Sequence, residues 1–95
     1  MVAYVVFTRE RLRDEAKLAE YSANVGKARG GHELTPLAYY GACETLEGGE
    51  VDGAVILQFP TMEAAKAWYD SPAYQEVRTH RLLGADYRVF ITQGI

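Results

Sequence analysis

One stretch of the chain, residues 59–74, constrains the fold more than any other. It reads FPTMEAAKAWYDSPAY. Thr61 and Ser71 are residue types that cap helix N-termini, and Pro72 suits the first position of a helix. The same proline cannot continue a helix that starts earlier. The stretch therefore predicts the end of a strand, a capped helix, a break, and a second capped helix that begins at Pro72.

The rest of the chain alternates between strand and helix patterns. Leu18, Tyr21, Val25 and Ala28 recur at helical spacing, and segments rich in valine and aromatic residues predict strands. The predicted strands are Val2–Thr8, Leu37–Leu46, Val51–Phe59 and Tyr87–Gln93, and the predicted helices are about 11 or 14 to 27, 62–69 and 72–83. This order predicts an α+β, ferredoxin-like βαββαβ domain over residues 1–95, with a four-stranded antiparallel sheet and a split second helix.

Both faces of the predicted sheet are apolar. The first strand carries Val5 and Phe7 on one face and Tyr4 and Val6 on the other, and the run Ala54–Leu57 has no polar residue. Helices cover only one face of a ferredoxin-like sheet. Because monomers rarely expose a large apolar surface, we expect a homodimer that packs sheet against sheet.

Composition excludes several classes of protein. A net charge of −3 and a pI near 5.3 disfavour nucleic acid as a partner. No apolar run approaches the roughly 20 residues of a membrane span, and Cys43 alone cannot form an internal disulfide. His32 and His80 are not spaced as metal ligands, and no cofactor-binding motif occurs. We therefore predict a soluble, cytoplasmic protein without a metal or a cofactor.

Aromatic and polar residues are the candidates for a ligand pocket. We expect a cavity between the helix break and the sheet, with Trp68 or Tyr69 on its wall and His32 near its mouth. For the two aromatic residues the alternative is core packing, for Ser71 it is a helix cap, and for His32 it is an exposed loop. The candidates are Trp68, Tyr69, His32, Tyr74, Ser71, Tyr4 and Tyr40.

Four segments carry a resemblance to a known family. They are Phe59–Tyr74, Gly30-Gly31, Leu46-Glu47-Gly48 and Val89–Gly94. The chain resembles the domain of unknown function 1330 family, within the dimeric α+β barrel superfamily, over nearly its whole length. The resemblance implies a ferredoxin-like subunit and a dimer, with no agreed activity. The segment Gly31–Tyr39 differs from the family's usual short run into the second strand.

Haem cleavage is disfavoured among the functions that the superfamily resemblance suggests, and haem binding without cleavage is the least favoured of the hypotheses. Relatives in the superfamily include cofactor-free monooxygenases, isomerases, dehydratases and haem-degrading enzymes. The haem-degrading enzymes have a pattern in which a Trp is followed by a Ser three residues later, an aromatic residue six residues later and an axial His ten residues later. Trp68, Ser71 and Tyr74 match the first three places, but Arg78 occupies the fourth and cannot bind iron. His80 lies about 200° further around the helix.

Two hypotheses on function remain from the sequence. The first is a protein that binds a small hydrophobic or aromatic molecule between sheet and helices, with cofactor-free enzymatic chemistry as an extension. The alternative is a structural or interaction dimer without a ligand. A mostly apolar cavity of roughly 300 Å³ or more would favour the first, and a filled core would favour the second.

Overall fold

Four antiparallel strands form one sheet in the order β2-β3-β1-β4. The structure is a computed structural model that describes residues 1–95. In chain order the elements are β1 (Ala3–Leu12), α1 (Glu15–Asn24), a 3₁₀ helix (Val25–Arg29), β2 (Thr35–Tyr39), β3 (Gly53–Phe59), α2 (Met62–Tyr69), α3 (Pro72–Gly84) and β4 (Ala85–Gln93). The predicted ferredoxin-like fold with a split second helix is confirmed.

Side-chain caps fix where the helices begin. Asp14 accepts hydrogen bonds from two backbone N–H groups of α1, and Thr61 does the same for one N–H of α2. The Ser71 hydroxyl accepts from the Tyr74 N–H at 3.3 Å and donates to the Trp68 carbonyl at 2.7 Å. Ser71 therefore joins the end of α2 to the start of α3, which confirms its interpretation as a cap.

The junction between α3 and β4 depends on a glycine. A Cβ at Gly84 would lie 2.7 Å from the backbone nitrogen of Leu18, closer than real Cβ contacts allow. Only glycine therefore lets α1 and α3 approach this closely. The Arg13 guanidinium donates to the carbonyls of Leu82 and Ala85 and thereby satisfies the free C-terminal end of α3.

The second strand is shorter and starts earlier than predicted. The sequence predicts Leu37–Leu46, whereas β2 covers Thr35–Tyr39 and residues 41–50 are exposed. Tyr40 ends the strand because its φ of 52° lies in the left-handed region, which turns the chain away from the sheet. Its backbone N–H still donates to the carbonyl of Ala54.

Other bounds differ from the prediction as well: β3 starts at Gly53 instead of Val51, and β4 starts at Ala85 instead of Tyr87. β1 continues past Thr8 to Leu12 because it pairs with β4 along this length, with an irregularity between Arg9 and Arg11. α1 ends at Asn24, and the predicted last turn is a 3₁₀ helix instead. This tighter turn ends at Gly30, where the backbone has a positive φ.

The two faces of the sheet differ in what covers them. On the helix-covered face, Val5, Phe7, Val55, Leu57 and Phe59 are buried under the helices. The other face, which we call the open face, carries the side chains that alternate with these: Tyr4, Val6, Ile56, Gln58 and Phe90. These side chains are only half-buried or exposed. No helix of the protein is long and apolar enough to cross a bilayer.

Candidate functional site

A cavity of about 160 Å³ lies between the helix-covered face of the sheet and the 3₁₀ helix. Its wall is mostly apolar and includes residues from β1, α1, β2, β3 and α2. The lining residues are Phe7, Tyr21, Val25, Gly26, Arg29, Leu34, Pro36, Tyr39, Tyr40, Val55, Leu57 and Trp68. Arg29 is the one charged residue among them, and no carboxylate or imidazole lines the cavity.

Trp68 combines a packed ring with an unsatisfied polar atom. The side chain is 2 % exposed, and its ring lies 4.2 Å from the Tyr74 ring and 5.5 Å from the Phe59 ring. Its indole Nε1 is buried and has no hydrogen-bond acceptor. Such a donor costs about 1–3 kcal/mol relative to a satisfied one. Trp68 is therefore a residue of the cavity wall whose buried N–H group lacks a partner.

Tyr40 is the strained residue of the wall. Its hydroxyl lies 2.5 Å from the Tyr87 hydroxyl, and the Arg9 guanidinium lies 5.3 Å from the centre of its ring. Asp52 holds Arg9 through an ion pair of 2.7 Å. Burial raises the pKa of Tyr40, and the hydrogen bond with Tyr87 raises it further. The hydroxyl is therefore neutral at physiological pH and serves as a hydrogen-bond donor or acceptor.

Tyr21 and Tyr74 form a second pair of tyrosines. Their hydroxyl oxygens are 2.9 Å apart within the core, and Tyr21 also lines the cavity. Burial raises the pKa of both residues, whereas the Arg81 guanidinium opposes this rise. Both hydroxyls are therefore neutral near pH 7. They suit hydrogen bonding to an oxygen better than proton abstraction.

The structure brings only part of the candidate set predicted from the sequence to the cavity. Trp68 and Tyr40 line it. Tyr74 packs against Trp68 with its ring tilted by 39° but does not line the cavity. The Tyr69 ring lies 5.3 Å from the Tyr74 ring and does not line the cavity either. The Tyr69 hydroxyl accepts a hydrogen bond from Arg78.

The other three candidates lie elsewhere. His32 is half-buried, and its backbone N–H donates to the Arg29 carbonyl, but it does not line the cavity. Since Arg29 does line the cavity, the place of His32 near the mouth stays a prediction. Ser71 acts as a helix cap outside the cavity. Tyr4 lies on the open face, where Gln58 and Thr92 are its neighbours across the strands.

The residues compared with the haem pattern form contacts of other kinds. Arg78 donates through Nε to the Tyr69 hydroxyl at 2.9 Å. The Nδ1 atom of His80 lies 2.9 Å from a carboxylate oxygen of Glu20, on the outer side of α1 and α3. Neither Arg78 nor His80 lines the cavity. No group of three or more His, Cys, Asp or Glu side chains is close enough to hold a metal ion.

Sequence reasoning missed several residues of the site. Tyr21 and Val25 were predicted on the buried stripe of α1, but nothing in that periodicity distinguishes a cavity wall from a filled core. Arg29 was missed because an arginine near a helix end is ordinarily solvated. Tyr39 falls inside the longer predicted strand, and strand alternation does not show that it lies beside a cavity.

Solved structures similar to this one share its fold. A protein of unknown function from Rhodopseudomonas palustris has a TM-score of 0.68 and 15% identity, over 99% of this chain and 82% of that one. A dimeric ferredoxin-like protein of unknown function from Thermobifida fusca has 0.66 and 15%, over 97% and 90%. A dimeric protein of unknown function from Bacteroides fragilis has 0.61 and 10%, over 98% and 95%.

Sequence comparison gives the family. No curated protein matches the chain. The sequence profile of a family described as a domain of unknown function, DUF1330, matches residues 2–95. This match covers almost the entire sequence, including the helix break and the residues that line the cavity. The chain therefore belongs to the DUF1330 family.

Proposed function

We propose that the protein is a homodimer in which each subunit binds a small aromatic or hydrophobic molecule in the cavity beside Trp68. One observation carries this proposal: the buried Nε1 of Trp68 lacks an acceptor while its side chain forms part of the wall of an apolar cavity. Buried donors in native proteins are nearly always satisfied, so an orphaned one beside a cavity indicates a missing acceptor.

The volume of the cavity limits the size of the ligand. Pockets for drug-sized molecules start at roughly 300 Å³, whereas an apolar cavity of about 150 Å³ accommodates benzene. At about 160 Å³, this cavity fits one aromatic ring with a small substituent. A polyketide-like ligand with several rings would require the walls to move. We therefore narrow the ligand to a compound with a single ring.

The conformation of Tyr40 supports a binding role. A bulky residue at positive φ is uncommon and costs free energy, and such strain clusters at ligand sites. Here it places the Tyr40 ring against the cavity and its hydroxyl on Tyr87. The strain is accompanied by a polar contact in the same wall, which suits a site that orients a ligand.

Chemistry on the bound molecule is a narrower possibility within this proposal. The cavity offers aromatic surface, the N–H of Trp68, and the Tyr21 and Tyr40 side chains, whose pKa values burial raises. These groups can polarise an oxygen atom of a ligand. None of them is a base near neutral pH, so we place binding before catalysis.

The open face supports the dimer. Val6 lies between Ile56 and Phe90 across the strands, and Phe90 is 45% exposed in the isolated subunit. A second copy of the chain would bury this apolar strip. Two proteins with the same fold, from Thermobifida fusca and Bacteroides fragilis, are described as dimeric. The net charge of −3 argues against nucleic acid as the partner.

Fluorescence of the single tryptophan tests ligand binding directly. We expect toluene and phenol to shift the emission of Trp68 and to raise the melting temperature, and naphthalene to do neither. Val55→Phe fills the cavity from the sheet side and should abolish both responses. Val51→Phe adds the same ring outside the cavity and serves as the matched control. A filled core that binds no ligand would give no response in any of the three proteins.

A further inference from the structure

The core contains one cation without a counter-ion. Arg81 in α3 is 2 % exposed and is the sole charged residue among the buried ones. It forms no salt bridge, although several other arginines of the chain do, and its Nε atom has no hydrogen-bond acceptor. Buried charges are ordinarily paired because removing them from water is costly. An unpaired buried arginine is therefore a feature that the fold alone does not require.

The cation lies next to the wall of the cavity. Its guanidinium carbon is 5.7 Å from the centre of the Phe7 ring and 5.1 Å from that of Tyr87. Phe7 lines the cavity. The Tyr87 hydroxyl is hydrogen-bonded to that of Tyr40, which also lines the cavity. The faces of the two rings stabilise the cation but carry no net charge. Its positive charge therefore remains uncompensated one side chain away from the cavity.

The cavity has a second positive charge and no negative one. Arg29 is part of its lining, and one of its nitrogens donates to the Leu34 carbonyl at 2.7 Å. This hydrogen bond holds the guanidinium beside Leu34, which also lines the cavity. With two arginines near it and no carboxylate in its wall, the cavity has a positive potential. Solvent screens the charge of Arg29, which is exposed, whereas the charge of the buried Arg81 is screened much less.

We propose that the ligand is a single-ring aromatic oxyanion, a phenolate or an aryl carboxylate, whose charge is balanced by Arg81 with help from Arg29. The inference rests on the proposed function, because it specifies the ligand of the same cavity. The ring would occupy the apolar space, the oxyanion would accept from Trp68 Nε1, and the arginines would favour the ionised form.

A phenol that ionises near neutral pH tests this inference. We would titrate 4-nitrophenol bound to the protein and follow the absorbance of the phenolate. The pKa of the bound probe should be about one unit lower in the wild type than in Arg81→Met, which keeps an unbranched stem in the core and removes the charge. Arg11→Met removes an exposed charge and should leave the probe's pKa as in the wild type. Should Arg81→Met fail to fold, Arg81→Gln serves the same comparison.

The neutral analogue 4-nitroanisole separates the two proposals. If 4-nitroanisole binds and the pKa of bound 4-nitrophenol is the same with and without Arg81, the inference on charge is wrong and the cavity still binds neutral rings. If neither of these compounds binds the wild type, and toluene and phenol do not bind either, both proposals fail. The oxyanion is supported if the pKa of bound 4-nitrophenol is low in the wild type and in Arg11→Met but not in Arg81→Met.

Discussion

The two faces of the sheet use the same strands for different purposes. On the helix-covered face, β1 and β3 contribute Val5, Phe7, Leu57 and Phe59, which are buried under α1, α2 and α3. On the open face, the alternate residues of the same strands are mostly apolar, with Thr8 and Gln58 as polar exceptions, and no helix covers them. The covered face thus has an apolar core interrupted by a cavity. The open face has an apolar strip of Val6, Ile56 and Phe90 beside an open depression that Thr8 and Arg88 help to line.

This difference between the faces assigns ligand binding to the covered face and self-association to the open face. Binding needs a concave space with a few polar groups, which the covered face provides at the 3₁₀ helix and Trp68. Self-association needs an apolar surface that a second copy of the chain can cover, which the open face provides. Changes on the two faces should therefore produce separate effects, on ligand affinity in one case and on oligomeric state in the other.

The largest effect should come from a charge on the open face. Ile56→Lys places an ammonium group in the centre of the apolar strip, and twofold symmetry introduces it twice. We expect the dissociation constant of the dimer to rise by about 100-fold or more. Sedimentation at micromolar concentration should then give 10.6 kDa, whereas the wild type should give twice that mass.

Ala19→Lys is the matched control for this charge. Ala19 is exposed on α1, away from the sheet, and its substitution should leave the dimer intact. A wild type that sediments at 10.6 kDa would overturn the dimer itself. An Ile56→Lys protein that remains dimeric would place the interface elsewhere.

The second largest effect should appear on the covered face. Phe59 is 1 % exposed and packs against Trp68, so Phe59→Ala should lower the free energy of unfolding by about 3–5 kcal/mol. Phe90→Ala on the open face should cost the subunit less than about 1 kcal/mol. Urea unfolding of both variants in the Ile56→Lys background measures the subunit alone. Equal losses would contradict the distinction between the faces.

The sequence allowed the sheet, the split helix and both caps of the second half to be predicted. Each depends on local chemistry: Ser71 and Pro72 act within one helical turn, and strand alternation needs only neighbouring residues. The sequence also predicts a cavity with Trp68 on its wall, but not the place of that cavity beside the 3₁₀ helix, because this place depends on how side chains from distant segments pack. The left-handed turn at Tyr40 and the buried position of Arg81 likewise follow from tertiary structure, and neither residue type favours them.

Alkaline pH should destabilise the covered face. Burial raises the pKa values of Tyr21, Tyr40 and Tyr74 above 10, their ordinary value. The unfolded chain therefore loses these protons first. Stability is fully present below about pH 10 and falls above it, by up to about 1.4 kcal/mol per pH unit for each tyrosine.

Tyr21→Phe tests the contribution of one of these residues. It removes one titrating group and should reduce the alkaline slope by up to about 1.4 kcal/mol per pH unit, although it also breaks the bond to Tyr74. Urea unfolding followed by circular dichroism between about pH 8 and pH 11 gives the slope. An unchanged slope would show that Tyr21 is accessible to water in the folded protein.

Trp68→Phe should have only a small effect on stability, although its effect on binding should be specific. The change removes part of a packed ring, and it also removes the N–H that has no partner. Because losing an unsatisfied buried donor is favourable by about 1–3 kcal/mol, the two terms oppose each other, and we expect a net loss of about 1 kcal/mol.

Phenol and toluene separate hydrogen bonding from packing at Trp68. The phenol oxygen can accept from Nε1, whereas toluene has the same ring and no acceptor. Trp68→Phe should therefore weaken the binding of phenol by about fivefold and that of toluene by less. The affinities follow from the dependence of melting temperature on ligand concentration. Equal weakening of both would mean that the indole contributes only its surface. The unsatisfied Nε1 would then be a cost that the core tolerates, and the argument for a polar group on the ligand would rest on the two arginines alone.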